Sequence, residues 1–184
     1  EEKKKILHTW WWPAECKRMK AGKIAKSLMS ASRHAKTVET LLLRKSDDLI
    51  CRNLFCEKVG EVCVCRLASV VEKLPQLRHL DLSNNNIAYL PSSVFDISSL
   101  QHLDLSENRM EEISPEVQKL QNLKVLKISA NKIKQLPQEM RKNAKLEEVW
   151  AENNLIDVFP EHLDHLSCLN LEGNPCKKGI TKNL

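Results

Sequence analysis

The chain has 184 residues, of which 42% are hydrophobic, 29% charged and only 4% aromatic, a globular composition with room for one core and an extension. No stretch approaches eighteen uninterrupted apolar residues and the mean hydropathy is -0.40, which excludes a transmembrane helix. The 4 glycines, Gly22, Gly60, Gly173 and Gly179, are too few and scattered to build a phosphate-cradling loop, which disfavours nucleotide-dependent catalysis.

The net charge of +5 hides an asymmetry: residues 1–45 hold 12 Lys/Arg against 4 Asp/Glu, whereas residues 46–184 hold 17 against 20. A basic extension on an acidic body is expected to seek an acidic partner, whether RNA, an anionic membrane surface or an acidic protein face. An odd total of 7 cysteines without a preceding secretory segment implies reduced thiols and an intracellular address, cytoplasmic before organellar (mitochondrial). A chain that begins at Glu1 is also compatible with a fragment or a processed form.

Residues 1–37 read as a basic, Trp-containing arm. Trp10, Trp11 and Trp12 precede Pro13, and no single helix or strand face can bury three consecutive indoles. With Lys3, Lys4 and Lys5 close by, they form a candidate docking peg or membrane-interface anchor. Residues 14–37 are then predicted to form a short basic amphipathic helix, with Ile24, Leu28, Ala31 and Ala35 on one side and Lys17, Arg18, Lys20, Lys23 and Lys26 largely elsewhere. Such a helix can cap the end of the domain that follows it, or dock on a second protein, RNA or an anionic surface.

Residues 38–76 read as an irregular first turn, with a strand predicted around Val38, Leu41 and Leu43. A cysteine cluster follows, in which Cys51, Cys56, Cys63 and Cys65 are spaced C-x4-C-x6-C-x-C. Zinc ribbons space their ligands as two short C-x2-C knuckles, so the cluster is read first as buried thiols in an irregular segment, with zinc as the other reading.

Residues 77–184 are organised by self-similarity. Leu77, Leu100, Leu123 and Leu146 each open a segment of one grammar at a spacing of 23 residues, and a shorter segment opens at Leu166 after 20. Apolar residues at the fourth and sixth places (Leu80/Leu82, Leu103/Leu105, Leu126/Ile128, Val149/Ala151, Leu169/Leu171) predict a short strand with one buried side per turn, and hence a parallel sheet. The ninth place is always Asn: Asn85, Asn108, Asn131, Asn154 and Asn174. An amide there can both donate to and accept from buried backbone of the adjoining turn. Pro91, Pro137 and Pro160 at the fifteenth place suit an irregular convex return better than a long helix. The strand around Leu41 lies one turn upstream with about 16 extra residues inserted, and the cysteine cluster is that insertion.

The pattern L-x-x-L-x-L-x-x-N-x-I-x-x-L-P over residues 77–176 resembles the leucine-rich repeat family, specifically the 23-residue class with Ras-suppressor, Scribble and Erbin-like members. The resemblance implies an α/β solenoid with short parallel strands on a concave face, irregular or 3-10 convex returns, and a concave sheet that binds other proteins. The cysteine cluster does not resemble the amino-terminal cap of secreted members.

In each strand the third, fifth and seventh places point to the concave side. They gather His79, Asp81, His102, Asp104, Lys127, Glu148, Trp150 and Glu152, the candidate partner-binding residues. Five acids against one base on that face disfavour nucleic acid there, and Trp150, a large amphipathic ring on a polar face, is the leading anchor. His79/Asp81/Ser83 and His102/Asp104/Ser106 invite a nucleophilic triad, but alternate residues on a strand stand roughly 6.6 Å apart, too far for the relay. The expectation is a non-catalytic scaffold or adaptor without cofactor or metal. The alternative is a structural subunit of a large assembly such as an organellar ribonucleoprotein, with the arm contacting RNA or neighbouring subunits.

Overall fold

Alternation of apolar and polar residues forces each repeat to lay down one three-residue strand, and the next repeat pairs with it because neither can bury its apolar side alone. The structure, a computed structural model, describes residues 23–51 and 62–176. Among these, β1 (Ile24–Ala25), β2 (Thr40–Leu42), β3 (His79–Asp81), β4 (His102–Asp104), β5 (Val125–Lys127), β6 (Glu148–Trp150) and β7 (Cys168–Asn170) form one parallel sheet in sequence order. The register keeps each repeat aligned: Leu41, Leu80, Leu103, Leu126, Val149 and Leu169 are successive partners, all buried.

The chain returns on the convex side through α1 (Leu28–Arg33), α2 (Cys65–Val71) and α3 (Ser92–Phe95), and then through 3-10 segments at Pro115–Lys119, Gln138–Lys142 and Glu161–Leu163. Pro91, Pro137 and Pro160 stand immediately before three of these segments, where fixed φ helps start the turn and no N–H is needed. The second repeat uses Ser114 instead, whose hydroxyl accepts from Glu116 N at 3.2 Å. Ile87, Val94, Met110, Val117, Ile133, Met140, Ile156 and Leu163 fill the space between sheet and returns, and the core runs without a break from Ala25 to Leu171.

Two devices turn the corner after each strand. The eighth residue of every repeat adopts positive φ: Lys45 (46°), Asn84 (58°), Glu107 (57°), Ala130 (53°), Asn153 (54°) and Gly173 (74°). That conformation costs a non-glycine residue roughly 1–2 kcal/mol. At Gly173 a Cβ would also stand 2.4 Å from Asn153 Oδ1, so that exposed side chain would have to move aside.

The ninth residue supplies the compensation. Asn131 Nδ2 donates to Leu105 O and Ile128 O, both at 3.0 Å, and its Oδ1 accepts from Met110 N at 3.0 Å. Asn154 Nδ2 donates to Ile128 O (2.9 Å) and Ala151 O (3.1 Å), while its Oδ1 accepts from Ile133 N (3.1 Å). Asn85, Asn108 and Asn174 likewise each reach the preceding repeat. In the first turn Ser46 occupies the ninth place and offers its backbone N to Asn85 Oδ1 at 2.8 Å.

Two expectations are corrected. A continuous helix over 14–37 does not form: Ile24 and Ala25 pair with Thr40 and Leu41 as a further strand, and among the described residues of the arm the helix spans Leu28–Arg33. Satisfying backbone groups on the exposed edge of β2 and burying Ala25 against the core outweighs helix propensity there. The cysteines of the first turn are not uniformly buried thiols, because Cys51 and Cys63 are buried but Cys65 is exposed at the start of α2. Cys56 and residues 14–22 lie outside the described residues.

The Asn contacts generate a test. Asn131→Leu strips the acceptor from the buried Met110 N–H, and a loss of about 2–4 kcal/mol is expected in urea denaturation. A change below about 0.5 kcal/mol would show that the amide is replaceable by packing.

Candidate protein-binding face

The sheet register fixes what the concave face presents. One row runs His79, His102, Val125, Glu148, Cys168, and a second runs Asp81, Asp104, Lys127, Trp150, Asn170. Val125 is buried; the others are half-buried, as expected for the outward side of strands whose central residue faces the core. Seven of the eight residues picked out by position therefore share these two rows, and Glu152, just beyond β6, reaches Asn170 of the second; the surface divides into two halves of different chemistry.

The half on β3 and β4 is built from two imidazoles and two carboxylates. His79 and His102 stack with centroids 4.4 Å apart and planes 15° from parallel. Burial, then the neighbouring His102, then Arg78 lower the His79 pKa to about 4. His102 is lowered in the same direction by burial first and Lys124 second. Asp81 Oδ1 accepts from Ser83 N (2.9 Å) and Ser83 Oγ (2.7 Å), and Asp104 Oδ1 accepts from Ser106 N (2.9 Å). Burial raises the Asp104 pKa against the opposing effect of that backbone contact. The Ser83 hydroxyl is thus directed at a carboxylate, the wrong partner for a nucleophile that needs an imidazole base.

The half on β5 to β7 centres on Trp150, flanked in register by Lys127 and Asn170. Its Nε1 donates to Glu148 Oε2 at 3.0 Å, which fixes one edge of the half-buried ring. Glu152 is held by Ser129 Oγ and by Asn170 Nδ2, the latter at 2.7 Å. Cys168 lies beside these acids, and burial together with Glu148 and Glu152 raises its thiol pKa. Sequence position identified Trp150, Glu148 and Glu152 as partner-binding but not Ser129 and Asn170, which hold the Glu152 carboxylate. The signal for those two was their place on the concave side of the neighbouring strands.

Of the arm residues, Trp10, Trp11, Trp12, Lys17, Arg18 and Lys20 lie outside the described residues. Lys23 precedes β1 and pairs with Glu39, while Lys26 follows β1 and is exposed. Sequence reasoning also missed Asn143, a fully buried amide whose Nδ2 donates to Val117 O (2.8 Å) and Leu120 O (2.9 Å) on the convex side. No periodic signal marks it, because the preceding repeat has Leu120 at the same place.

The imidazole pair makes stability depend on pH. Folded His79 takes a proton only near pH 4, whereas an unfolded histidine does so near 6.5, so the unfolded chain binds more protons between these values. Stability is full above the unfolded pKa and is expected to fall as pH drops from 6.5 towards 4. His79→Gln should flatten that slope in denaturation series across this window. An unchanged slope would show that other groups carry it.

The chain matches the family model described as leucine-rich repeat region over residues 35–175. No curated protein sequence matches it. Solved structures share the fold at low identity. An internalin C2 from Listeria monocytogenes is 21% identical with a TM-score of 0.60, covering 85% of this chain and 70% of that one. A leucine-rich repeat protein of Leptospira interrogans is 23% identical with a TM-score of 0.55, covering 77% of this chain, which spans only 38% of that protein. The BIR2 ectodomain of Arabidopsis thaliana is 24% identical with a TM-score of 0.54, covering 63% of this chain and 65% of that one. Among the described residues no helix is long and apolar enough to cross a membrane. With its repeats, its Asn contacts and its single parallel sheet, the chain belongs to the leucine-rich repeat family.

Proposed function

We propose that the protein is a non-catalytic scaffold that holds a protein partner on the β5 to β7 half of its concave sheet, with Trp150 as anchor. Leucine-rich repeat folds serve in general as protein-interaction frames, and the specific reading rests on one observation. A half-buried indole is held at the sheet surface by Glu148, with Lys127 and Glu152 around it. Aromatic anchors of this kind dominate interface energies when a partner desolvates them. The acids of the face favour a partner with a basic contact surface and disfavour phosphate backbones. A non-catalytic role is supported by the Ser83 to Asp81 contact, which directs that hydroxyl to a carboxylate and away from an imidazole base. A second contact is assigned to the basic segment carrying Trp10, Trp11 and Trp12, with protein ahead of RNA or an anionic surface.

Quantitative affinity capture tests the reading, with wild type, Trp150→Ala and the exposed control Lys134→Ala used as full-length baits after nuclease treatment. A partner retained by wild type and control but weakened by about 30-fold for Trp150→Ala is expected, the loss of a hot spot worth about 2 kcal/mol. Equal recovery on all three baits would place the interface elsewhere. Loss of every partner on nuclease treatment would favour a ribonucleoprotein.

A further inference from the structure

The insertion in the first turn brings three thiols together. Ile50 and Val62 form an antiparallel bridge, and Cys63 N donates to Leu49 O at 2.8 Å, so Cys51 and Cys63 flank that bridge diagonally, one on each strand. Cys65, two residues on at the start of α2, turns its sulfur back to within 3.8 Å of Cys51 Sγ. All three sulfurs lie within 4.8 Å of one another. A tetrahedral thiolate site with Zn–S bonds of about 2.3 Å has S···S edges of about 3.8 Å. The Cys51 to Cys65 edge already has that length, and closing the others takes at most about 1 Å of side-chain movement.

The surroundings suit a metal better than packing. Cys51 and Cys63 are 2% and 8% exposed, so two of the three sulfurs are shielded from water while Cys65 stays open to an entering ion. The backbone N of Cys65 donates to Cys63 Sγ at 3.4 Å, the kind of contact that steadies a metal-bound thiolate. A disulfide would use two of the sulfurs and leave the third thiol beside it. Three converging soft donors select zinc among abundant divalent ions.

We propose that Cys51, Cys63 and Cys65 bind one zinc ion as thiolates, the fourth position being taken by water or a further donor. As each Zn–S bond forms, the thiol releases its proton to solvent, with no change of oxidation state. The ion joins Cys51, at the start of the insertion, to Cys63 and to Cys65 at the start of α2. This site is independent of the concave face and of the partner reading.

The test uses the full chain purified under reducing conditions without chelator. Elemental analysis is expected to give one zinc per chain, and X-ray absorption at the zinc edge at least three sulfurs at about 2.3 Å. Cobalt(II) added to the metal-free chain should give thiolate-to-cobalt charge-transfer bands that zinc bleaches. Cys65→Ser, at an exposed position where folding is spared, should weaken zinc affinity by about tenfold or more. The proposal is overturned by absence of both zinc and cobalt bands in the reduced wild type. Unchanged zinc affinity in Cys65→Ser, with circular dichroism showing a folded chain, also overturns it. So does a Cys51–Cys65 disulfide found after alkylation in intact cells.

Discussion

The side-chain amide at the ninth place of each repeat is the constraint on which the rest of the structure depends. A strand of three residues followed at once by a left-handed corner leaves carbonyls and N–H groups inside the solenoid with no ladder partner. One Asn per repeat satisfies two carbonyls and a donor across the junction, and in doing so fixes the spacing of adjacent turns. The corner residues then hold positive φ even where the sequence supplies Lys, Glu or Ala. Leucine packing supplies the bulk of the driving force, but packing alone is non-directional and does not set the register. The amide contacts do, and a fixed register is what lines up Lys127, Trp150 and Asn170 across three strands.

The parts of this fold that are periodic were legible from the chain alone. Leu77, Leu100, Leu123 and Leu146 announce the repeat, and the alternation around Leu80 and its equivalents assigns the concave side without any three-dimensional knowledge. What broke the period was harder to read. Ile24 and Ala25 join the sheet, but two short apolar residues among lysines match a helix face as well as a strand, and only the exposed edge of β2 decides between them. Asn143 is buried through contacts with the preceding convex segment, which no residue pattern in its own repeat encodes. Spacing grouped the cysteines in one insertion, but the exposure of Cys65 beside the buried Cys51 and Cys63 comes from its place at the start of α2, which spacing does not encode.

The candidate site was legible as a set of positions and illegible as an arrangement. The rows containing His79, Asp81, His102 and Asp104 followed from counting, whereas the stack of the imidazoles and the capture of Ser83 Oγ by Asp81 are products of neighbouring strands in register. Those contacts separate a self-satisfied polar half on β3 and β4 from a half on β5 to β7 that carries the half-buried indole of Trp150. Trp150 is held in place by one hydrogen bond at its edge, so under the proposed function the ring is already oriented and costs little to order on binding.

The most direct measurement is site-specific photo-crosslinking in the native cell, with a photoreactive residue placed at Lys127 on the concave side or at Gln138 on the convex return. The account expects a discrete protein adduct from position 127 and none of that mass from position 138. An adduct from position 138 with none from position 127 would contradict it and move the partner to the convex side.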